Sequence, residues 1–206
     1  MDWNKYFDLM VDWKKLPAYR FEPRIDSFIG YYLPEIISYY RKAEIIDIIP
    51  EFPIRGKTVF PDFPNEKSFR VDFLLISKEN PNFLVEVKTD SSSRRENQDS
   101  YLSRAKEEKL GSLINGIKPI YQATKAKKKY QHLIEKLQKL SLLNEDHEYI
   151  GKNEELEIIY IKPSNKNNEE NIINFMEVSE WLRKREDTGD PFERCFKKAL
   201  LKWIND

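Results

Sequence analysis

The chain has 206 residues, with 35 Lys and Arg against 35 Asp and Glu, 40% hydrophobic residues and 13% aromatics. So much apolar side chain argues for one folded domain with a proper core rather than a disordered chain, and zero net charge argues against a bulk electrostatic binder of nucleic acid, although a local cleft of one sign remains compatible with it. No run approaches the roughly 20 apolar residues of a membrane span, and Cys195 as the sole cysteine excludes a disulfide framework or a thiolate zinc site.

The N-terminus carries acids early and has no small-residue cleavage site, so it does not read as a signal peptide, and the cytoplasm is the expected compartment. Residues 2–16 predict a short amphipathic helix carrying Trp3, Phe7 and Leu9. From Arg24 to Arg41 the pattern is helical, with Ile29, Leu33, Ile37 and Tyr40 on one stripe. Pro34 interrupts it opposite Gly30, which predicts either a kink or two shorter helices. Ile45 to Ile54 reads as a first strand and Gly56 to Lys67 as a loop.

Ser68 to Asp90, SFRVDFLLISKENPNFLVEVKTD, then reads as a β-hairpin, with a turn at Lys78–Asn82 between two apolar runs. Asp72 heads the first run, and Glu86 and Lys88 lie inside the second. Side chains alternate along a strand, so Glu86 and Lys88 share a face and Val87 takes the other. Charges inside the most apolar strand of a chain are costly unless paired or bound to a metal. A break in local logic of that kind marks a functional site.

Beyond the hairpin, Ser91, Ser92 and Ser93 offer caps for a helix from Arg94 to Leu110, with a connector over Gly111–Lys118. A long helix is predicted from Pro119 to Leu142, carrying Lys125, Lys127, Lys128 and Lys129. Leu156–Ile161 and Ile172–Val178 read as strands separated by a polar loop, and Pro191–Ile204 as a closing helix with Pro at its start. No repeat or linker divides the chain.

Asp72, a gap of thirteen residues and Glu86-Val87-Lys88 resemble the signature of the PD-(D/E)xK nuclease superfamily, in which an acid on the second core strand precedes Glu-x-Lys on the third. Val71 stands where that family often has proline, which removes no ligand. Asp12-Trp13-Lys14 and Glu107-Glu108-Lys109 also match acid-x-Lys, as a chain that is 34% charged allows, but neither lies in a β-type run. The resemblance covers residues 24–110; beyond them it rests on element order.

It implies an α/β (α+β) restriction-endonuclease-like core, a mixed central sheet flanked by helices. The activity it implies is metal-dependent hydrolysis of nucleic-acid phosphodiesters, DNA over RNA. Asp72 and Glu86 are hard oxygen ligands suited to Mg²⁺, with Mn²⁺ as the substitute, and the backbone carbonyl of Val87 is a further ligand by family geometry. Lys88 would orient or help deprotonate the attacking water. The family often adds an acid from the first helix: Asp26, on the buried stripe, is preferred to Glu35, nine residues on, although a helix cap accounts for Asp26 equally well. Gln98, on the helix after Lys88, fits a polar contact to phosphate or water, whereas Tyr101 on the same face fits core packing.

Each residue also has a plainer reading: Asp72 as a strand-end acid held by Arg70, Glu86 and Lys88 as a solvated pair on an edge strand, and the lysines at 125–129 as a solvated face. The alternative function is a non-catalytic module that keeps the nuclease fold and binds nucleic acid or a protein partner. Many duplex-cutting members of such a family act as dimers, so the resemblance is compatible with a homodimer, but no interface is legible here.

Overall fold

The structure is a computed structural model that describes residues 1–17, 20–79, 81–89, 96–152, 154–185 and 189–204, with Glu96 described by its backbone alone. Among the described residues, five strands form one mixed sheet in the order β1-β2-β3-β4-β5: β1 (Ile45–Arg55), β2 (Ser68–Ser77), β3 (Asn82–Val87), β4 (Leu156–Lys162) and β5 (Ile172–Asn174). Helices flank it, giving the mixed α+β architecture that the element order predicts.

β1 and β2 run antiparallel, with Ile54 opposite Phe69, Phe52 opposite Val71 and Pro50 opposite Phe73. β1 carries Pro50 and Pro53 and lies at the sheet's edge, which is where a residue lacking a backbone donor is tolerated. Only four residues separate β2 from β3, and Ser77 N donates to Asn82 Oδ1 at 2.9 Å. A connection that short between neighbouring strands allows only an antiparallel pair. Asn82 N donates to Glu155 O at 3.0 Å and Lys88 N to Ile161 O at 2.7 Å. The partners advance in the same direction, so β3 and β4 are parallel, as are β4 and β5. β3 is therefore the central strand, and all six of its residues are buried.

The chain clusters into two compact units that alternate along the sequence: residues 1–42, 85–94 and 159–206 form the first, and 43–84 and 95–158 the second. No helix among the described residues is long and apolar enough to cross a membrane.

The first unit packs α1 (Trp3–Trp13), α2 (Glu22–Arg41), α7 (Phe175–Lys184) and α8 (Pro191–Trp203) around an aromatic core. Trp203 is fully buried, with Phe21 and Phe7 edge-on to it at ring separations of 5.1 and 5.9 Å. α2 runs unbroken through Pro34, so the two-helix reading does not hold. Tyr40 donates its hydroxyl to Glu177 O at 2.9 Å, and burial pushes its pKa up to about 12. The predicted strand at Ile172–Val178 is shorter than its pattern suggests, because the chain turns into α7 at Phe175. The cause is a capping box: Asn174 Oδ1 accepts from Glu177 N at 3.0 Å, and Glu177 Oε2 accepts from Asn174 N at 2.8 Å.

In the second unit, the stretch predicted as a loop opens with a short helix, α3 (Gly56–Val59). Gly56 N donates to Lys67 O at 2.9 Å, and a Cβ at Gly56 would stand 2.2 Å from the Phe63 ring, so the loop closes on a position that only glycine fits. α4 (Glu96–Asn115) replaces both the predicted helix and the connector after it. Its helical geometry breaks at Lys109 (φ 65, ψ 171), where Leu110 N bonds to Glu154 O at 3.0 Å and Lys109 Nζ to Glu155 at 2.6 Å. The single long helix predicted from Pro119 to Leu142 is instead α5 (Ile117–Ala123) and α6 (Lys127–Lys139). Thr124 is extended between them, and its Oγ1 accepts from Ala126 N at 3.1 Å. Such local side-chain bonds compete with helix.

Glu66 ties the loop to the end of β1, accepting from Arg55 Nε at 2.5 Å and from Lys57 Nζ at 2.8 Å. These bonds, Arg55's first, hold its carboxyl down at about 2, against an ordinary 4.5. Stabilisation from Glu66 is therefore complete above pH 4.5 and is lost as the pH falls toward 2. In acid melts across that window the wild type is expected to lose stability that Glu66→Gln, lacking the titration, does not. Asn174→Ala, which removes the α7 cap, is expected to cost about 1 kcal/mol in urea unfolding.

Candidate functional site

β3 delivers Glu86 into the interior because its run of Phe83, Leu84 and Val85 is buried on both faces. Glu86 has no exposed surface, and Lys88, two residues on, retains only 6%. The expected side-chain alternation holds: Lys88 Nζ donates to Glu86 Oε2 at 3.0 Å. A solvated pair on an edge strand is ruled out, because β3 is central and both groups are buried. Taking two charges out of water costs several kcal/mol per ion, which their attraction repays only with good geometry and further polar partners.

One such partner is Glu22, whose Oε1 lies 3.8 Å from Lys88 Nζ, within ion-pairing range. Glu22 opens α2, directly before Pro23, and its side chain is 35% exposed. Lys88 thus joins a fully buried carboxylate on its own strand to a half-exposed one on a helix. Sequence reading missed Glu22. The available signal was its position four residues before Asp26, which places the two acids on one helix face.

Asp26 is half-buried, with Oδ1 shielded from solvent, between the fully buried Ile25 and Ile29. It lies on the inward stripe, as expected. Glu35 serves elsewhere: its Oε2 forms an ion pair with Arg185 Nη1 at 2.9 Å.

The second unit holds the other predicted residues. Asp72 stands half-buried on β2 between the buried Val71 and Phe73, on the face shared with Arg70. Arg70 reaches toward Glu51 at 3.7 Å instead of anchoring the hairpin interior. Tyr101 is buried, stacks on Phe69 at 4.7 Å and donates its hydroxyl to Arg70 O at 2.8 Å. Packing therefore accounts for Tyr101. Gln98 Nε2 lies 3.4 Å from Tyr101 Oη, so the two share a face as their spacing predicts. Asp90, Ser91 to Ser93, Arg94 and Arg95 lie outside the described residues. Of the competing acid-x-Lys strings, Asp12-Trp13-Lys14 ends α1 and Glu107-Glu108-Lys109 lies in α4, so neither has a strand context.

The structure thus brings together Glu86, Lys88 and Glu22 in the first unit, and Gln98 and Tyr101 in the second. Among the described residues no three His, Cys, Asp or Glu side chains cluster as a metal site. Glu86 is a hard oxygen donor, the ligand class that Mg²⁺ takes beside several waters, and it is fully buried here. Comparison with family models, curated proteins and solved structures finds no match to this chain.

Lys88→Ala is expected to destabilise the fold by about 3–5 kcal/mol, because it strands the buried Glu86 carboxylate. The double variant Glu86→Leu/Lys88→Met removes both charges and should recover most of that loss. Guanidinium unfolding of the three proteins measures both effects.

Proposed function

We propose that the protein is a metal-dependent nuclease that hydrolyses nucleic-acid phosphodiester bonds, DNA in preference to RNA, as a member of the PD-(D/E)xK superfamily. The observation that carries this reading is the buried Glu86–Lys88 pair, bonded at 3.0 Å on the central strand. A sheet built for stability alone has no use for it, since hydrophobic residues of similar volume are commonly as stable as a buried ion pair or more so.

In this reading Mg²⁺ would be held by the residues that the superfamily signature assigns to it, Asp72, Glu86 and the carbonyl of Val87. A bound Mg²⁺ would supply neutralisation of phosphate charge and a lowered pKa for its water. Lys88 Nζ, fixed between Glu86 and Glu22, donates to the attacking water or to a phosphate oxygen. Its position is set by two carboxylates, so the ammonium is oriented before substrate arrives, and such preorganisation is the main source of electrostatic catalysis. Asp26 belongs to the same helix face as Glu22 and supports the acidic side of the site. Gln98 contributes a polar contact to phosphate or water.

The test is cleavage of mixed DNA and RNA substrates with Mg²⁺, Mn²⁺ or EDTA, using wild type, Asp72→Asn and Lys88→Ala at a temperature where all three remain folded. Metal-dependent products are expected, reduced about 100-fold or more in Lys88→Ala and abolished in Asp72→Asn, together with a Mg²⁺-induced rise in melting temperature that Asp72→Asn lacks. If no substrate is cut and Mg²⁺ leaves the melting temperature unchanged, the nuclease reading fails and a non-catalytic module is the better account.

A further inference from the structure

The second unit carries a charge asymmetry that the neutral total conceals. Between Lys109 and Ile134 there is no Asp or Glu, while Lys109, Lys118, Lys125, Lys127, Lys128 and Lys129 all fall in that stretch. Lys109, Lys118 and Lys127 are engaged locally, with Glu155, with Glu148 and with the carbonyls of Tyr121 and Gln122. Lys125, Lys128 and Lys129 are exposed at the start of α6.

This helix start borders two concavities. One, of about 640 Å³, lies between edge strand β1 and α6 and is lined by Pro50, Pro53, Arg70, Lys129, Tyr130 and Lys136, among others. The second, of about 510 Å³, takes in Lys67, Ser68, Thr124 and again Arg70 and Tyr130. The shared pair makes them two halves of one groove. Its cations are Lys67, Arg70, Lys129 and Lys136, and its acids are Glu51 and Glu66. Glu66 is already held by Arg55 and Lys57, which stand outside the groove lining. Glu51 faces Arg70 at 3.7 Å with both side chains about two-thirds exposed, a pair worth little in water. Lys136 is offset by Asp47 at 2.6 Å. The net balance of the groove is positive.

We propose that this groove binds the sugar–phosphate backbone of a single-stranded nucleic acid, with Lys67, Arg70 and Lys129 on phosphates and Tyr130 as the base-stacking platform. A positive track combined with an aromatic face is what such strands require. Volumes of this size lie in the range of about 300–1,000 Å³ that encloses small ligands, so each half has room for a nucleotide or two of a flexible strand. A peptide strand added to the sheet is disfavoured, because Pro50 and Pro53 interrupt the donors on β1. The residues are separate from those of the proposed catalytic site, so the groove stands or falls apart from the nuclease reading.

The test uses the full chain in EDTA, titrated by fluorescence anisotropy against a short fluorescein-labelled oligothymidylate over a salt series. Wild type is expected to bind, with log affinity falling linearly with log salt. Arg70→Ala/Lys129→Ala should flatten that slope by about 0.7 for each cation removed. Tyr130→Leu should weaken binding about tenfold with the slope unchanged. Lys198→Ala, an exposed lysine on α8, should bind as wild type does. No binding by wild type, an unaltered slope in the double variant, or preferential capture by phosphatidylserine vesicles would overturn the groove. Binding without cleavage in Mg²⁺ would instead sink only the nuclease reading, and cleavage with binding unchanged in the groove variants would sink only the groove.

Discussion

Glu86 is a carboxylate with no exposed surface on a strand whose every residue is buried, and its surroundings follow from that constraint. A lone ionised acid there would be prohibitively costly, so Lys88 must be drawn in from the strand end to meet it. An ammonium that deep needs more than one oxygen, and the first turn of α2 offers Glu22. Pro23 beside Glu22 suits a helix start, where its missing donor would be unsatisfied anyway. The position of α2, the depth of Lys88 and the acid on β3 are thus one electrostatic problem with one solution.

Such an arrangement adds little to stability by itself, so its presence calls for a use beyond folding. A metal-activated water steered by Lys88 is the use proposed, and it needs a lysine fixed in advance by carboxylates. The groove of the second unit belongs to a different regime. Lys67, Arg70 and Lys129 are exposed and long, its acids are engaged by partners or weakly paired, and its contribution would be affinity that salt screens.

Much of this architecture is legible in the amino-acid sequence. The hairpin, its boundaries, the shared face of Glu86 and Lys88, the inward stripe of α2 and the closing helix at Pro191 all follow from period and local chemistry. The misreadings share a cause: a short polar contact outvotes the hydrophobic pattern. Asn174 and Glu177 form a capping box inside a run that looks β-branched, so a strand ends and α7 begins. Thr124 bonds Ala126 and divides what reads as one long helix. Lys109 leaves helical geometry because Leu110 and its own ammonium find partners in the segment before β4. Pro34 misleads in the opposite direction, since a strongly buried stripe carries α2 past a residue that would break a solvated helix.

The sequence by itself determined where four of the five strands run, which face each charge takes along them, and that an acid and a lysine sit where apolar residues belong, because alternation and propensity act over a few positions. Tertiary structure alone decided that β3 is central and β1 an edge, that the Glu86–Lys88 pair is buried rather than solvated, that Glu22 rather than Glu35 meets Lys88, and that a lysine run borders a groove rather than a plain surface. Those outcomes depend on partners far apart in the chain, and desolvation and ion pairing respond to that spatial company, not to sequence spacing.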